Sequence, residues 1–276
     1  MPEPVVRVLR AEHDGEARAC VLDGDTLDIL DHDDPLAALR GGGEVVAHRP
    51  LAGARLLAPI VAPEVWCAGV TYARSREARL GEARHGGGDV YALVYDALRP
   101  ELFLKDAGMR RTVGPGAPIG RRSDSRWTVP EPELAVVLGR EGRLLAATIG
   151  NDVSSRDIEG ENPLYLPQAK IFSSSCAIGP MLAVPRDWDE PLTIRMRIHA
   201  SGVELYSGET STASLRRSPS ELAQWAVRDN PIPEGSVLLT GTGLVPPDEF
   251  TLEPGQVVEI EIDGLGTLRN PVEAAP

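Results

Sequence analysis

Three carboxylates between residues 131 and 152 have a spacing that suits a small cation with oxygen ligands. Glu131 and Glu133 are separated by one residue at the start of the apolar run 134–138, and Asp152 ends a second apolar segment, 144–151. In a β-strand, residues i and i+2 point to the same face, and two carboxylates there repel each other unless a cation or proton lies between them. Three such ligands would leave about half of an octahedral Mg²⁺ shell open for water and substrate. The alternative interpretation is a pair of solvated carboxylates at a strand end.

The segments around these acids resemble the fumarylacetoacetate hydrolase superfamily. Its pattern is E-x-E-L, then N-D-x-[ST]-x-R-D, then a lysine and a turn that ends in G-P. The matching segments are Glu131–Leu134, Asn151–Asp157, Lys170 and Cys176–Pro180. Residues 158–170 are similar to a narrower branch, the 2-keto-3-deoxy-pentonate (2-dehydro-3-deoxy-D-arabinonate) dehydratases. The resemblance covers about Val65 to Pro271 and implies that Glu131, Glu133 and Asp152 bind Mg²⁺, with Mn²⁺ or Ca²⁺ as substitutes.

Two further residues are candidates for catalysis. Residues 99–105 match the P-x-[LI]-F-x-K segment of the superfamily and contain Glu101, where the dehydratase branch places a carboxylate near the metal. Glu101 is therefore either a general base or a solvent-facing acid at a strand entry. The Lys170 ammonium would stabilise an enolate, or act as a base if desolvation lowers its pKa. Lys105 is interpreted as structural or as a partner of the acidic cluster.

Three residues are candidates for substrate binding. Residues 66–77 resemble the G-x-N-Y-x-x-H-x-x-E loop of the superfamily, but Ser75 stands where the hydrolases have a catalytic histidine. Ser75 is interpreted as a helix N-cap or as a hydroxyl that faces the substrate. Arg122 would attract an anionic substrate or belong to a solvated basic loop. Thr242, in a segment similar to the G-T-[GP] loop, is expected to meet a substrate oxygen.

Together, the resemblance implies a lyase of pentose or sugar-acid catabolism. A 2-oxo acid would chelate Mg²⁺, lose a proton from C3 and then the C4 hydroxyl as water, and rearrange to 2,5-dioxopentanoate. Residues 172–175 depart from the Tyr-Asp-x-Ser of the dehydratase branch, so the sugar acid stays open. Two alternatives are a carbon–carbon hydrolase of acylpyruvate or fumarylacetoacetate type, which would need a water-activating histidine, and a non-catalytic sugar-acid binding protein.

Composition is typical of a soluble enzyme for small molecules. The chain has 276 residues, 42% of them hydrophobic, and a net charge of −13. This charge disfavours nucleic acids and anionic membranes as partners, because their phosphates would be repelled. Three widely spaced cysteines form neither a disulfide framework nor a zinc motif. Because neither a signal peptide nor an apolar run of about 20 residues is visible, we expect a cytoplasmic protein, as a homodimer or homotetramer.

The pattern of elements predicts an α+β, mainly β protein. Residues 1–60 form a predicted small N-terminal αβ domain, with a hairpin turning at Asp14-Gly15 and a short helix over 35–40. Residues 61–276 form the predicted catalytic domain, for which the resemblance implies a mixed β-sandwich roll of the fumarylacetoacetate hydrolase type. Residues 77–84 have helical composition. Ser218 is predicted to cap a helix that has Pro219 in its first turn.

Overall fold

The computed structural model describes residues 6–73 and 93–275. Ser75 and the predicted helix 77–84 lie outside these residues. Eighteen strands and four short α-helices lie wholly within the two ranges, so the prediction of a mainly β protein is confirmed. None of the helices in the described residues is both long and apolar enough to cross a bilayer. The strands are β1 Arg7–His13, β2 Glu16–Asp23, β3 Thr26–Leu30, β4 Val45–Pro50, β5 Glu64–Gly69, β6 Glu101–Ala107, β7 Thr112–Val113, β8 Ile119–Arg121, β9 Thr128–Val129, β10 Pro132–Leu138, β11 Leu144–Asp152, β12 Ser154–Ser155, β13 Cys176–Ala183, β14 Thr193–Ala200, β15 Val203–Ser211, β16 Val237–Leu239, β17 Val257–Ile262 and β18 Gly266–Ala274, and the helices are α1 Pro35–Leu39, α2 Arg156–Glu161, α3 Leu166–Lys170 and α4 Pro219–Ala226.

One long mixed sheet connects both halves of the chain. Its strands lie in the order β4-β3-β2-β1-β13-β11-β10-β16-β5-β6, and β7 also pairs with β13. The first four strands form a meander that joins the rest where β1 pairs antiparallel with β13, Arg7 opposite Ala183. The N-terminal segment therefore extends the sheet that carries the acidic residues. The division into domains at residue 60 stays a prediction.

A second sheet packs against the first and encloses the main core. Its order is β15-β14-β17-β18-β8, and a small pair, β12-β9, lies apart from both sheets. Strand β17 has the sequence VVEIEI, in which every second residue is buried. This period-2 pattern is typical of a strand with one face on the core and one in solvent. The fully buried β10 instead has a nearly continuous apolar sequence, because residues of α4 pack on the face of Val136 and Leu138, and the face of Ala135 and Val137 belongs to a second buried cluster that includes Ala38 of α1.

Local signals in the sequence place several elements correctly. The hairpin β1–β2 turns at Asp14 and Gly15, both with positive φ, which is the conformation of a two-residue type I′ turn. Helix α4 begins as predicted, since the Ser218 hydroxyl accepts a hydrogen bond from the Glu221 N–H at 3.1 Å. Its buried residues pack on Val136 and Leu138 of β10 and on Leu238 of β16.

Candidate active site

Glu131, Glu133 and Asp152 meet in one buried cluster at the end of two paired strands. One carboxylate oxygen from each residue lies within 4.8 Å of those of the other two. Glu131 immediately precedes β10, and Asp152 ends the antiparallel neighbour β11. The two strand ends are tied together, since the Asp152 N–H donates to the Glu131 carbonyl oxygen at 3.0 Å and the Glu131 N–H donates to Asn151 Oδ1 at 3.1 Å.

The electrostatics of this cluster suit a hard divalent cation. Burial raises the pKa of Glu133 well above its ordinary value, and the charges of Asp152 and Glu131 raise it further, while a hydrogen bond from the Gly241 N–H opposes the shift. The raised pKa means that the three carboxylates are unfavourable together without a cation or proton. Three buried oxygen donors within reach of one ion are a set that Mg²⁺ or Mn²⁺ prefers. The residues present therefore fit the implied magnesium ion.

Three buried cationic side chains surround the carboxylates. Lys170 Nζ lies 2.6 Å from Glu131 Oε2, 3.1 Å from Asp152 Oδ2 and 2.6 Å from the Ser154 hydroxyl. Arg156 donates from Nη2 to Glu131 Oε1 at 2.7 Å. Buried charges persist only when they are paired and hydrogen-bonded, and these contacts supply both conditions.

The third cation is Lys105, which is completely buried and contacts Asp152. Its Nζ lies 2.5 Å from Asp152 Oδ1 and donates to the carbonyl oxygens of Val153, at 3.0 Å, and of Lys170. Residue 105 lies at an irregularity where β6 has one more residue than β5. Such bulges re-aim side chains, which explains how Lys105 turns inward. The structure thus places it as a partner of the acidic cluster, one of its two predicted roles.

Glu101 lies on β6, three strands along the sheet from the strand of Glu133. It pairs directly with Gly69. Continuing the register of β10 with β16 and of β16 with β5 by two pairs beyond the end of β16 places Glu133 beside Gly241 and Gly241 beside Gly69. Residues in one row across a sheet share a face. The row therefore has a carboxylate at each end and glycine at both positions between them.

Two of the three predicted substrate-binding residues, Thr242 and Arg122, lie within the described part of the chain. The Thr242 hydroxyl is buried and donates to the Leu244 carbonyl oxygen at 2.9 Å. Arg122 is bound to Asp124, with Nε 2.5 Å from Oδ1, and this hydrogen bond raises the pKa of the guanidinium. Arg122 also donates to the Gln168 carbonyl oxygen at 2.9 Å, which ties it to the helix of Lys170. Their roles in substrate binding stay predictions.

Sequence reasoning missed Arg156 and the two glycines of the row as parts of the site. Arg156 had a signal, because it is the arginine of the N-D-x-[ST]-x-R-D segment four residues after Asp152. Gly69 and Gly241 had a weaker one, since each lies in a segment that resembles the superfamily. Only the pairing of β10, β16, β5 and β6 brings them beside Glu133 and Glu101.

Comparison with known proteins gives the class. The family model described as fumarylacetoacetate (FAA) hydrolase, C-terminal, matches residues 64–273, and a model described as Rv2993c-like, N-terminal, matches residues 6–59. The chain belongs to the fumarylacetoacetate hydrolase family, as its motifs predicted.

Among the relatives are dehydratases of sugar acids. The chain is 50% identical over 216 residues to a probable 2-keto-3-deoxyxylonate dehydratase of Haloferax volcanii, covering 78% of this chain and 73% of that protein. It is 46% identical over 223 residues to the 2-dehydro-3-deoxy-D-arabinonate dehydratase of Saccharolobus solfataricus, covering 79% and 74%. A solved 2-keto-3-deoxy-D-arabinonate dehydratase complexed with magnesium and 2,5-dioxopentanoate superimposes with a TM-score of 0.86 at 38% identity, covering 97% of this chain and 99% of that one.

Proposed function

We propose that this protein is a Mg²⁺-dependent hydro-lyase that converts a 2-dehydro-3-deoxy-pentonate to 2,5-dioxopentanoate. The observation that carries the proposal is the buried cluster of Glu131, Glu133 and Asp152 beside Lys170, with the Glu101 carboxylate in the same row as Glu133. The named activities of its relatives, and the ligands in the solved complex, support this choice of substrate class.

The charges of the site suit an anionic 2-oxo acid. The three carboxylates face the three cations Lys105, Lys170 and Arg156, so these six side chains nearly balance. A divalent cation held by Glu131, Glu133 and Asp152 leaves the centre positive, within a protein of net charge −13. When bound, Mg²⁺ supplies Lewis-acid polarisation of the 2-oxo group, which acidifies the protons on C3.

The protein groups then have distinct tasks. Glu101 takes a proton from C3, a transfer that contributes about 10²–10⁴-fold to the rate. The Lys170 ammonium stabilises the negative charge that develops on the substrate oxygen. The C4–O bond breaks and the hydroxyl leaves, with a proton, as water. The remaining unsaturated alcohol becomes an aldehyde when C5 and its hydroxyl each lose a proton and C3 and C4 each gain one, so no oxidant is required.

Substrate binding is assigned to Ser75, Arg122 and Thr242. Thr242 follows Gly241, whose N–H donates to Glu133 Oε2 at 2.5 Å, so its backbone is next to a proposed metal ligand. Arg122 is linked through Gln168 to the helix that carries Lys170. Ser75 is assigned on its place in the loop that resembles that of the hydrolases.

Turnover of a defined substrate tests the function. Purified protein with Mg²⁺ is incubated with 2-dehydro-3-deoxy-D-arabinonate and with its C4 epimer, and the aldehyde proton of 2,5-dioxopentanoate is followed by NMR. Aldehyde formation from either epimer supports the dehydratase. Release of pyruvate or another cleavage product from an acylpyruvate, at a higher rate, supports the hydrolase instead. Binding of the sugar acid without any product indicates a binding protein.

We also propose a homodimer or homotetramer in the cytoplasm. The edge strand β15 of the second sheet exposes Val203 and Leu205, and an unpaired edge with apolar side chains favours pairing with another strand. All three cysteines are free and buried, as expected in a reducing compartment. Light scattering on the purified protein, with Val203→Lys as the comparison, tests the assembly, and a monomeric wild type would contradict it. Cell fractionation tests the location, and recovery outside the cytoplasm would overturn it.

A further inference from the structure

Gly69 lies where any side chain would collide with the proposed general base. A Cβ atom built on Gly69 would overlap Glu101 Oε2 and stand 2.6 Å from Glu101 Cδ. The backbone is not the reason for glycine here, since Gly69 is absent from the residues with positive φ, and an L-residue can adopt its conformation. The space above Gly69 is therefore used by the Glu101 carboxylate.

The Glu101 side chain extends over β5 in the direction of the proposed metal ligands, and this direction relates the contact to catalysis. Glu101 is on β6, Gly69 on β5, and the row continues through Gly241 to Glu133. A carboxylate that lies over Gly69 has thus moved from its own strand towards the proposed metal ligands. A methyl group at Gly69 would occupy that space and force the carboxylate away. A displacement of about 1 Å at a reacting group can cost about a hundredfold in rate.

We propose that Gly69 is a positioning residue. Because it has no side chain, the Glu101 carboxylate can occupy the space over β5, and this sets the location of the carboxylate. This inference rests on the proposed dehydratase function. Gly69 acts only through Glu101, so its effect depends on the presence of the Glu101 carboxylate.

A comparison of two backgrounds tests this dependence. The full-length protein with Mg²⁺ and 2-dehydro-3-deoxy-D-arabinonate is assayed as wild type, Gly69→Ala, Glu101→Gln and the double variant. We expect Gly69→Ala to lower kcat more than tenfold in the wild type but less than twofold in the Glu101→Gln background, with the Kd for Mg²⁺ changed less than twofold in both. Equal losses in the two backgrounds, or unchanged kcat in Gly69→Ala, would overturn the inference.

A shorter acid gives an independent test if Gly69→Ala folds poorly. Aspartate at position 101 withdraws the carboxylate from above Gly69, so Gly69→Ala/Glu101→Asp should fold and keep at least half the kcat of Glu101→Asp. A further tenfold loss would contradict the inference. Gly208→Ala is the matched control. Gly208 lies on β15 of the second sheet, and a Cβ atom there would also meet side chains, with Tyr206 Oη at 2.7 Å and Leu244 Cδ1 at 2.8 Å. It should lower kcat by less than twofold, and a loss as large as that of Gly69→Ala would attribute the effect to crowding alone.

The wild-type assay separates this inference from the proposed function. A wild type that forms no aldehyde overturns the function, and the role of Gly69 with it. An active wild type that Glu101→Gln slows more than tenfold to a still measurable rate, combined with the same loss from Gly69→Ala in both backgrounds, overturns the role of Gly69 alone.

Discussion

Lys105 and Asp152 form a completely buried ion pair in the candidate site, with Nζ 2.5 Å from Oδ1. The ammonium also donates to the backbone carbonyl oxygens of Val153 and Lys170. Lys105 therefore holds one proposed metal ligand and also the backbone of the proposed catalytic lysine. A change at Lys105 should affect both stability and the order of the site.

We expect Lys105→Met to lower the free energy of unfolding by about 3–5 kcal/mol, because it leaves Asp152 with one fewer cation in the interior. Urea unfolding followed by circular dichroism measures the change. The double variant Lys105→Met/Asp152→Asn is the control, since it also removes the uncompensated carboxylate and should recover part of the lost stability. A loss below 1 kcal/mol in the single variant would contradict the importance of this pair.

Removal of one proposed metal ligand should weaken Mg²⁺ binding without unfolding the protein. Glu133→Gln retains the shape of the side chain and removes one of three mutually repelling carboxylates, so the metal-free protein should be as stable as the wild type or more stable. Calorimetric titration should show a Kd for Mg²⁺ raised more than tenfold. EDTA should abolish activity, and Mg²⁺ or Mn²⁺ should restore it. Full activity in protein shown by elemental analysis to be free of metal would refute the assignment.

Glu101 and Glu133 should differ in what their substitution changes. Glu101→Gln should lower kcat more than tenfold while the Kd for Mg²⁺ stays within twofold, as expected for a base that is not a ligand. Lys170→Ala should also lower kcat. Steady-state kinetics and metal titration on the same preparations separate the two effects. A Glu101→Gln variant as active as the wild type would show that another group is the base.

The local features of this protein were predictable, and the long-range ones were not. Sequence alone predicted the strand that carries Glu131 and Glu133, the strand that ends at Asp152 and the helix cap at Ser218. Each of these features depends on residues that are neighbours in the chain. The row from Glu133 to Glu101 depends on the pairing of β10 with β16, and of β16 with β5, across more than 100 residues of chain. The bulge that turns Lys105 inward is likewise a property of paired strands.

The buried thiol of Cys20 should make stability depend on pH in alkaline solution. Burial raises the pKa of Cys20 from 9.0 to about 11, and its Sγ donates to the Arg18 carbonyl oxygen at 3.5 Å. Below about pH 9 the thiol is protonated in both states. Between about pH 9 and 11 the unfolded chain loses this proton while the folded chain retains it, so stability falls as pH rises.

We therefore expect Cys20 to account for about 2 kcal/mol of the stability lost between pH 8 and pH 10.5. Other groups titrate in this range, so the comparison is with Cys20→Ala, whose loss over the same interval should be smaller by that amount. Urea unfolding at both pH values measures it. Identical losses in the two proteins would contradict the raised pKa.

The choice between a lyase and a hydrolase depends on Ser75, which lies outside the described residues. A hydrolase must deprotonate a water molecule and direct it at a carbonyl carbon, which requires a base with a pKa near neutrality, such as histidine. Here Ser75 stands where the resemblance places that histidine, and Ala78 where it places the orienting glutamate. A dehydratase has no such requirement, since its base removes a carbon-bound proton and water is the leaving group.

We expect elimination of water from a 2-keto-3-deoxy sugar acid and negligible cleavage of acylpyruvates or fumarylacetoacetate. With Ser75 in its proposed role of hydrogen-bonding a substrate hydroxyl, Ser75→Ala should raise KM for the sugar acid, at a cost of about 0.5–1.5 kcal/mol. Release of pyruvate or acetoacetate from these diketones at a rate above that of dehydration would reverse the assignment.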